Sequence, residues 1–236
     1  MTLVGTTHKI IFIKTHKTAG TSVEAALEKT LLGLPGRHYQ PFTASVHGFV
    51  TARPKNYDTP WHQLISQRNL KKMMKTLGWD AIYFKSILAL QNHSLPDQIK
   101  ASMPLEFWET ATKVTICRKP LDIIISQFFW ENPKAKSGAD WRPQLEMFAT
   151  TVHPKPINQA IANLREPVTV LRYESLTDDF EKLISSIGLQ TEGLPTFKSG
   201  FKPTDLQTGQ LTFKPDTLKR IRENWGAYAD RFGYEI

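Results

Sequence analysis

The sequence is short of cysteine, short of long apolar runs and short of acid, and each shortage excludes something. Among its 236 residues there is one cysteine, Cys117, so no internal disulfide and no cysteine cluster for zinc or iron–sulfur can form. Such a chain suits a reducing compartment. No stretch approaches the roughly 18 apolar residues that a membrane span requires. The apolar segment Ile10–Ile13 is too short for a signal-peptide core and sits between His8, Lys9 and Lys14. A soluble, cytoplasmic protein is expected. Asp and Glu number 22 against 30 Lys and Arg, a formal charge of +8, so anionic partners are expected. The cations are spread along the chain rather than gathered into an arm, which argues against nucleic acid. No repeat, low-complexity tract or linker divides the chain, and its length suits one α/β domain over residues 1–236.

What the sequence does contain is an alternation of short apolar runs with helical patterns. Ile10–Lys14 reads as a buried strand and Thr15–Gly20 as a turn. A helix is expected from Thr21, with Val23, Ala26, Leu27 and Leu31 on one face and capping-box spacing from Thr21 to Glu24. Residues from Arg37 to Pro60 read as irregular, Trp61–Leu77 as helix, Ile82–Leu90 as a second strand and Pro96–Met103 as a short helix. Val114–Cys117 is the third expected strand, followed by a helix from Pro120 whose apolar face is Leu121, Ile124, Ile125, Phe128 and Phe129. Val168–Leu171 is the fourth strand. Leu176–Ile187, ended by Gly188, and Pro215–Tyr228 are the last helices. Strands alternating with helices predict a mainly parallel sheet covered on both faces.

Two strand ends carry anion-binding chemistry. Lys17-Thr18-Ala19-Gly20-Thr21-Ser22 joins a strand to a helix, where backbone N–H groups and the helix dipole favour phosphate or sulfate. Gly20 admits a close approach, Thr21 and Ser22 offer hydroxyls, and Lys17 a mobile charge. This is no Walker loop, because the lysine precedes the glycine instead of following it. An ordinary capped turn is the plainer alternative. The second segment is Arg118-Lys119-Pro120-Leu121-Asp122, with Ser126 one turn later. The arginine fork suits phosphate, while Asp122 is equally explained as a helix starter. Two cradles on the carboxyl edge of one sheet, where strand order reverses, would grip a ligand with an anion at each end.

These residues resemble the sulfotransferases that use 3′-phosphoadenosine 5′-phosphosulfate (PAPS), in particular the carbohydrate 2-O-sulfotransferase branch and its soluble bacterial-type relatives. Lys17 to Ser22 is similar to the family's 5′-phosphosulfate loop. Arg118-x-Pro120-x-Asp122 with Ser126 is similar to its 3′-phosphate motif. His93-Ser94 with Ile99-Lys100, the junction Leu171-Arg172-Tyr173-Glu174-Ser175-Leu176, and the ending Tyr228-Ala229-Asp230 with Phe232-Gly233-Tyr234 extend the likeness from about Ile10 to Tyr234. The chain departs from the family at Lys119, where Asn or Asp is frequent, and at Leu121-Asp122-Ile123, where an aromatic followed by Asp-Arg is usual. Lys119 stands in for the missing arginine.

The resemblance implies a P-loop-like three-layer fold and in-line transfer of a sulfuryl group from PAPS to a hydroxyl, expected on a glycan, with 3′,5′-ADP leaving. No metal is expected. Lys17 would steady the bridging oxygen, and Lys17, Thr18, Ala19, Gly20, Thr21, Ser22, Arg118 and Ser126 would hold the nucleotide. His93, placed just past the second expected strand, is the candidate base, with His47, His62 and Glu24 as alternatives. His16 is read as shaping its turn. Lys198-Ser199-Gly200 reads as a solvated loop, or else as a cover for the 3′ side. Lys134, Lys136 and Arg142, with Trp130 and Trp141, are either surface cations beside core aromatics or the walls of an acceptor groove. The rival readings are a P-loop kinase or NTPase and a basic nucleic-acid-binding module.

Overall fold

The computed structural model describes residues 3–5, 8–32, 42–43, 50–51, 90, 93–136, 141–196 and 211–236. The chain is α/β, built on a four-stranded open sheet in the order β1 (Leu3–Gly5), β2 (Ile10–Ile13), β5 (Thr112–Cys117), β6 (Thr169–Arg172). β2 pairs with β5 and β5 with β6 in parallel, while β1 runs antiparallel on the edge. A separate antiparallel pair joins β3 (Phe42–Thr43) to β4 (Val50–Thr51). The helices are α1 (Gly20–Leu32), α2 (Pro96–Ala101), α3 (Leu105–Thr110), α4 (Pro120–Glu131), α5 (Arg142–Thr151), α6 (Pro156–Asn163), α7 (Leu176–Ser186) and α8 (Pro215–Phe232).

The side-chain period of a strand explains the layers. Ile10 and Phe12 of β2, with Val114 and Ile116 of β5, point to one face and pack on α1 and α7 through Val23, Leu27, Phe180 and Ile184. Ile11, Ile13 and Cys117 point to the other face, against Ile123 and Ile124 of α4 and Ile221, Trp225 and Tyr228 of α8. Ile10 to Ile13 are all 0% exposed, as expected of a strand covered on both sides. Because β2 and β5 are parallel neighbours, with Ile13 opposite Thr115, the loops after Ile13 and Cys117 leave the same edge of the sheet.

Several expectations need correcting. The first helix starts at Gly20, before Thr21, and the carbonyl of Ala19 receives the opening N–H groups of Ser22 and Val23. Glu24 is turned to an inward partner, described below. The last helix continues past Tyr228 to Phe232 and closes on Gly233 at φ +66. β1 and the short helices α3, α5 and α6 were not anticipated, although Pro143 and Pro156 mark the first turns of α5 and α6. Among the described strands the order runs one way from β2 to β6, with no reversal at the cleft. The expected helix Trp61–Leu77 and strand Ile82–Leu90 lie outside the described residues, apart from the buried Leu90.

Candidate functional site: an anion-binding cleft

The loop from β2 to α1 is held in an unusual backbone. Lys17 and Ala19 both adopt φ +63, with Thr18 between them on the ordinary side, and the chain turns helical at Gly20. A residue with a Cβ pays on the order of 1 kcal/mol or more at each such position. Sign alternation of this kind curls successive N–H groups into one concavity that suits an anion. The first N–H groups of a helix lack intrahelical acceptors, and here they belong to Gly20 and Thr21.

Buried polar contacts impose this shape. Thr15 Oγ1 donates to the Ile116 carbonyl at 2.6 Å, which uses its single proton, so the Thr18 hydroxyl donates to Thr15 Oγ1 at 2.7 Å. Asn158 of α6, 0% exposed, grips the backbone of His16 from both sides: His16 N–H donates to Oδ1 at 2.8 Å and Nδ2 donates to the His16 carbonyl at 3.2 Å. Thr18 is therefore a staple whose hydroxyl is already engaged, and its backbone N–H is what it offers a ligand.

Lys14, at the end of β2, crosses directly over Gly20. A Cβ on that glycine would lie 2.6 Å from Lys14 Cγ, so the glycine is required by a neighbouring side chain and not by its own dihedrals. Lys14 Nζ then meets Glu24 Oε2 at 2.6 Å, with Glu24 fully buried. A buried carboxylate committed to an ammonium is poorly placed to take a substrate proton, which removes Glu24 as base. Lys17 Nζ rests 3.7 Å above the ring of Trp130 in α4.

The second strand end is braced from far along the chain. Arg118, 7% exposed, sends Nη1 to the Lys17 carbonyl at 3.2 Å and lays its guanidinium 3.8 Å over the ring of Tyr173. Its Nε is 3.8 Å from Asp122 Oδ2, too far for a hydrogen bond, and has no hydrogen-bond partner among the described residues. A buried guanidinium N–H left unmatched is costly, and an anion in the cleft would satisfy it. The backbone N–H of Arg118 donates to the buried Tyr228 hydroxyl at 3.2 Å, and that of Lys119 to Glu174 at 3.0 Å. Tyr234 O–H donates to the same carboxylate at 2.9 Å, which leaves the Cys117 thiol to donate to Tyr234 oxygen at 3.1 Å. Burial above all raises the pKa of the thiol and of both phenols, so all three stay protonated. The junction after β6 and the C-terminal segment thus meet at the Arg118 corner.

His93 sits between the two strand ends. Its Nδ1 is 2.9 Å from the Lys14 carbonyl. A carbonyl only accepts, so Nδ1 carries the proton and Nε2 keeps its lone pair. Burial, which outweighs the backbone hydrogen bond, lowers its pKa to about 4, and the Lys14 charge pushes the same way. The ring of His16 is 5.3 Å away. One cavity of about 350 Å³ is walled by residues 14–22 with His93, Arg118, Ser126 and Trp130, a size within the roughly 300–1,000 Å³ range of small-molecule sites.

The structure therefore brings together Lys17 to Ser22, Arg118, Ser126 and His93. It adds three residues that sequence reasoning missed in this role, Lys14, whose place after a strand was the only signal, Asn158 and Tyr228, and it puts Trp130, named above as a possible groove wall, in the same cavity. Lys119 is exposed and is not among the cavity's wall residues, so it does not replace the absent arginine. Trp141 and Arg142 wall a different cavity, of about 490 Å³, with Leu211 and Lys214, which separates them from Trp130. Lys134 is exposed. His47, His62, Lys198, Ser199, Gly200 and the side chain of Lys136 lie outside the described residues. Among the described residues no helix is long and apolar enough to cross a membrane, and no group of three or more His, Cys, Asp or Glu is placed to hold a metal ion. Comparison with protein-family models, curated proteins and solved structures finds no match for this chain.

Proposed function

We propose that this chain is a PAPS-dependent sulfotransferase with a P-loop-like three-layer fold, transferring a sulfuryl group to an acceptor hydroxyl on a carbohydrate. The observation that carries the reading is the single cavity into which both strand-end motifs open, their loops joined by the Arg118–Lys17 hydrogen bond. PAPS carries a phosphosulfate at one end of its ribose and a phosphate at the other. The concave backbone of Lys17 to Thr21 suits the first, and Arg118 with Ser126 suits the second.

In the proposed reaction the acceptor oxygen bonds to sulfur as the bond from sulfur to the bridging oxygen breaks, and 3′,5′-ADP leaves. The acceptor proton passes to His93 Nε2, whose lone pair the Lys14 carbonyl keeps available by holding the other nitrogen's proton. Lys17 leaves Trp130 for the bridging oxygen, where negative charge grows. The lysine-before-glycine order and the absence of a Walker lysine disfavour the kinase reading.

The test is a thermal-shift titration with 3′,5′-ADP. At a hundred times Kd the ligand should stabilise the native state by about 2.7 kcal/mol, and Lys17→Ala and Arg118→Ala should each shrink the shift. No shift in the parent protein would sink the assignment.

A further inference from the structure

The cavity has one feature that donor binding leaves unused. Every wall residue other than Ala19, Gly20 and Trp130 carries a charge, a hydroxyl or an imidazole, so Trp130 is the one broad apolar plate in a polar chamber. It is partly exposed, while the preceding residues Ile123 to Phe129 of α4 are all buried. Asp122, Ser126 and Trp130 recur every four residues along α4 and so share one stripe. Asp122 and Ser126 lie at the Arg118 end, and Trp130 lies one turn past Ser126, about 6 Å along the axis. Its ring carries the ammonium of Lys17.

We infer that Trp130 is the acceptor platform, and that it binds the C–H face of a six-membered sugar ring once Lys17 has moved to the donor. The inference rests on the transferase reading. The two anionic groups of the donor both hang from its ribose, and the sulfuryl group is the outermost atom group on its side. Whatever lies beyond the Lys17 ammonium on that side faces the acceptor. A pyranose matches the chamber because it has apolar C–H faces and a rim of hydroxyls, and the surrounding His16 and His93 can hydrogen-bond that rim. A phenol offers the same face without the rim, and a linear polyol the hydroxyls without the face.

The same ring thus serves two states. In the structure it holds the Lys17 ammonium in a chamber that Lys14 and Arg118 also wall. In the donor complex the cation is drawn to the phosphosulfate, and the vacated face receives the sugar. Donor therefore binds before acceptor.

The experiment measures sulfate transfer from PAPS to methyl β-D-glucopyranoside, p-nitrophenol and sorbitol, in the parent protein and in Trp130→Ala and Trp130→Phe, with 3′,5′-ADP affinity measured alongside. The parent should favour the pyranoside. Trp130→Ala should raise its KM by about tenfold, Trp130→Phe by less, and both should keep the 3′,5′-ADP affinity. Loss of nucleotide affinity in Trp130→Ala would put the ring under the adenine and overturn the inference. An unchanged pyranoside KM, a preference for the phenol or for sorbitol, or no transfer to the pyranoside by a protein that binds 3′,5′-ADP would also overturn it. Failure of the parent to bind 3′,5′-ADP is a different result and sinks the transferase reading itself.

Discussion

The two proposed anion sites of the cleft are built in opposite ways. The loop after β2 is a backbone site: its shape comes from left-handed residues at 17 and 19, hydroxyl staples within four positions of each other, and the start of a helix. The corner after β5 is a side-chain site: one guanidinium is aimed by Tyr173, Asp122 and the Lys17 carbonyl, while Tyr228, 110 positions away, holds the Arg118 backbone. Backbone donors are present whatever the side chains are, so the loop should tolerate most truncations. A lone guanidinium has no substitute, so the corner should not. The difference predicts which mutations hurt and which barely register.

The largest effect is expected at the residue that belongs to neither grip. His93→Ala removes the proposed proton acceptor and leaves the residues of both proposed anion sites in place. Transfer should fall roughly 10²–10⁴-fold, with the 3′,5′-ADP affinity preserved; near-normal turnover would move the role of base elsewhere. The pH behaviour follows from burial. Burial holds the pKa of His93 at about 4 in the folded protein, against 6.5 for an unperturbed histidine. The unfolded chain takes up that proton first, so this contribution to stability is complete above 6.5 and is lost as the pH falls towards 4, at most on the order of 3 kcal/mol. Among the described residues, Lys14, Glu24 and His16 are ionisable groups near it, and the charge of the chain's N-terminus also lowers its pKa. Bound 3′,5′-ADP adds negative charge nearby, so an NMR titration of His93 should show its midpoint rising on ligand addition. A fall would mean that the anion binds away from this histidine.

The next effect sharpens the comparison itself. Arg118→Ala should weaken 3′,5′-ADP by about a hundredfold while leaving 5′-AMP, which lacks the 3′-phosphate, almost unaffected. Lys17→Ala should weaken the two nucleotides alike. Arg118→Lys should behave more like alanine than like arginine, because an ammonium cannot reproduce the planar fork. Tyr228→Phe strands the buried Arg118 N–H and should cost about 1–3 kcal/mol of stability, read by chemical denaturation. It should narrow the discrimination between the two nucleotides in the same direction as Arg118→Ala. If Lys17→Ala and Arg118→Ala reduced that discrimination equally, the division into two grips would be wrong.

The same contrast explains what the sequence revealed. The loop was legible because its candidate anion-binding groups lie in six consecutive residues between a strand and a helix, and a contiguous string shows its chemistry. Three strands of the sheet were legible because each carries a short run rich in apolar residues, Ile10–Ile13 in β2, Val114, Ile116 and Cys117 in β5, and Val170 and Leu171 in β6. Arg118 was legible because it stands between a strand end and the helix start at Pro120, and Ser126 because it follows Asp122 at four-residue helical spacing. Asn158 and Tyr228 were not, since each acts through a single long-range hydrogen bond on a backbone group that carries no sequence mark. Glu24 misled for a related reason: its spacing from Thr21 suggested a cap, whereas Lys14, on the other side of the loop, holds it as an ion pair. Gly20 was singled out for admitting a close approach of an anion, whereas the constraint seen in the structure is Lys14, whose Cγ a Cβ there would meet at 2.6 Å.

The smallest effect probes how firmly the loop is fixed. Ala19 holds φ +63 with a methyl group that opposes it. Glycine removes that opposition, which is worth about 1–2 kcal/mol, but adds freedom to the unfolded chain that costs roughly 0.5–1 kcal/mol. Ala19→Gly should therefore stabilise the protein by less than about 1 kcal/mol, measured as a shift in denaturation midpoint at constant m-value. If the Thr15–Thr18 staple and the Asn158 clamp define the loop, 3′,5′-ADP affinity should not change, because the concavity is preformed whichever residue occupies position 19. A clear loss of affinity without loss of stability would show that the methyl group itself restrains the loop. The backbone site would then depend on a side chain after all, and the contrast with the Arg118 corner would become one of degree.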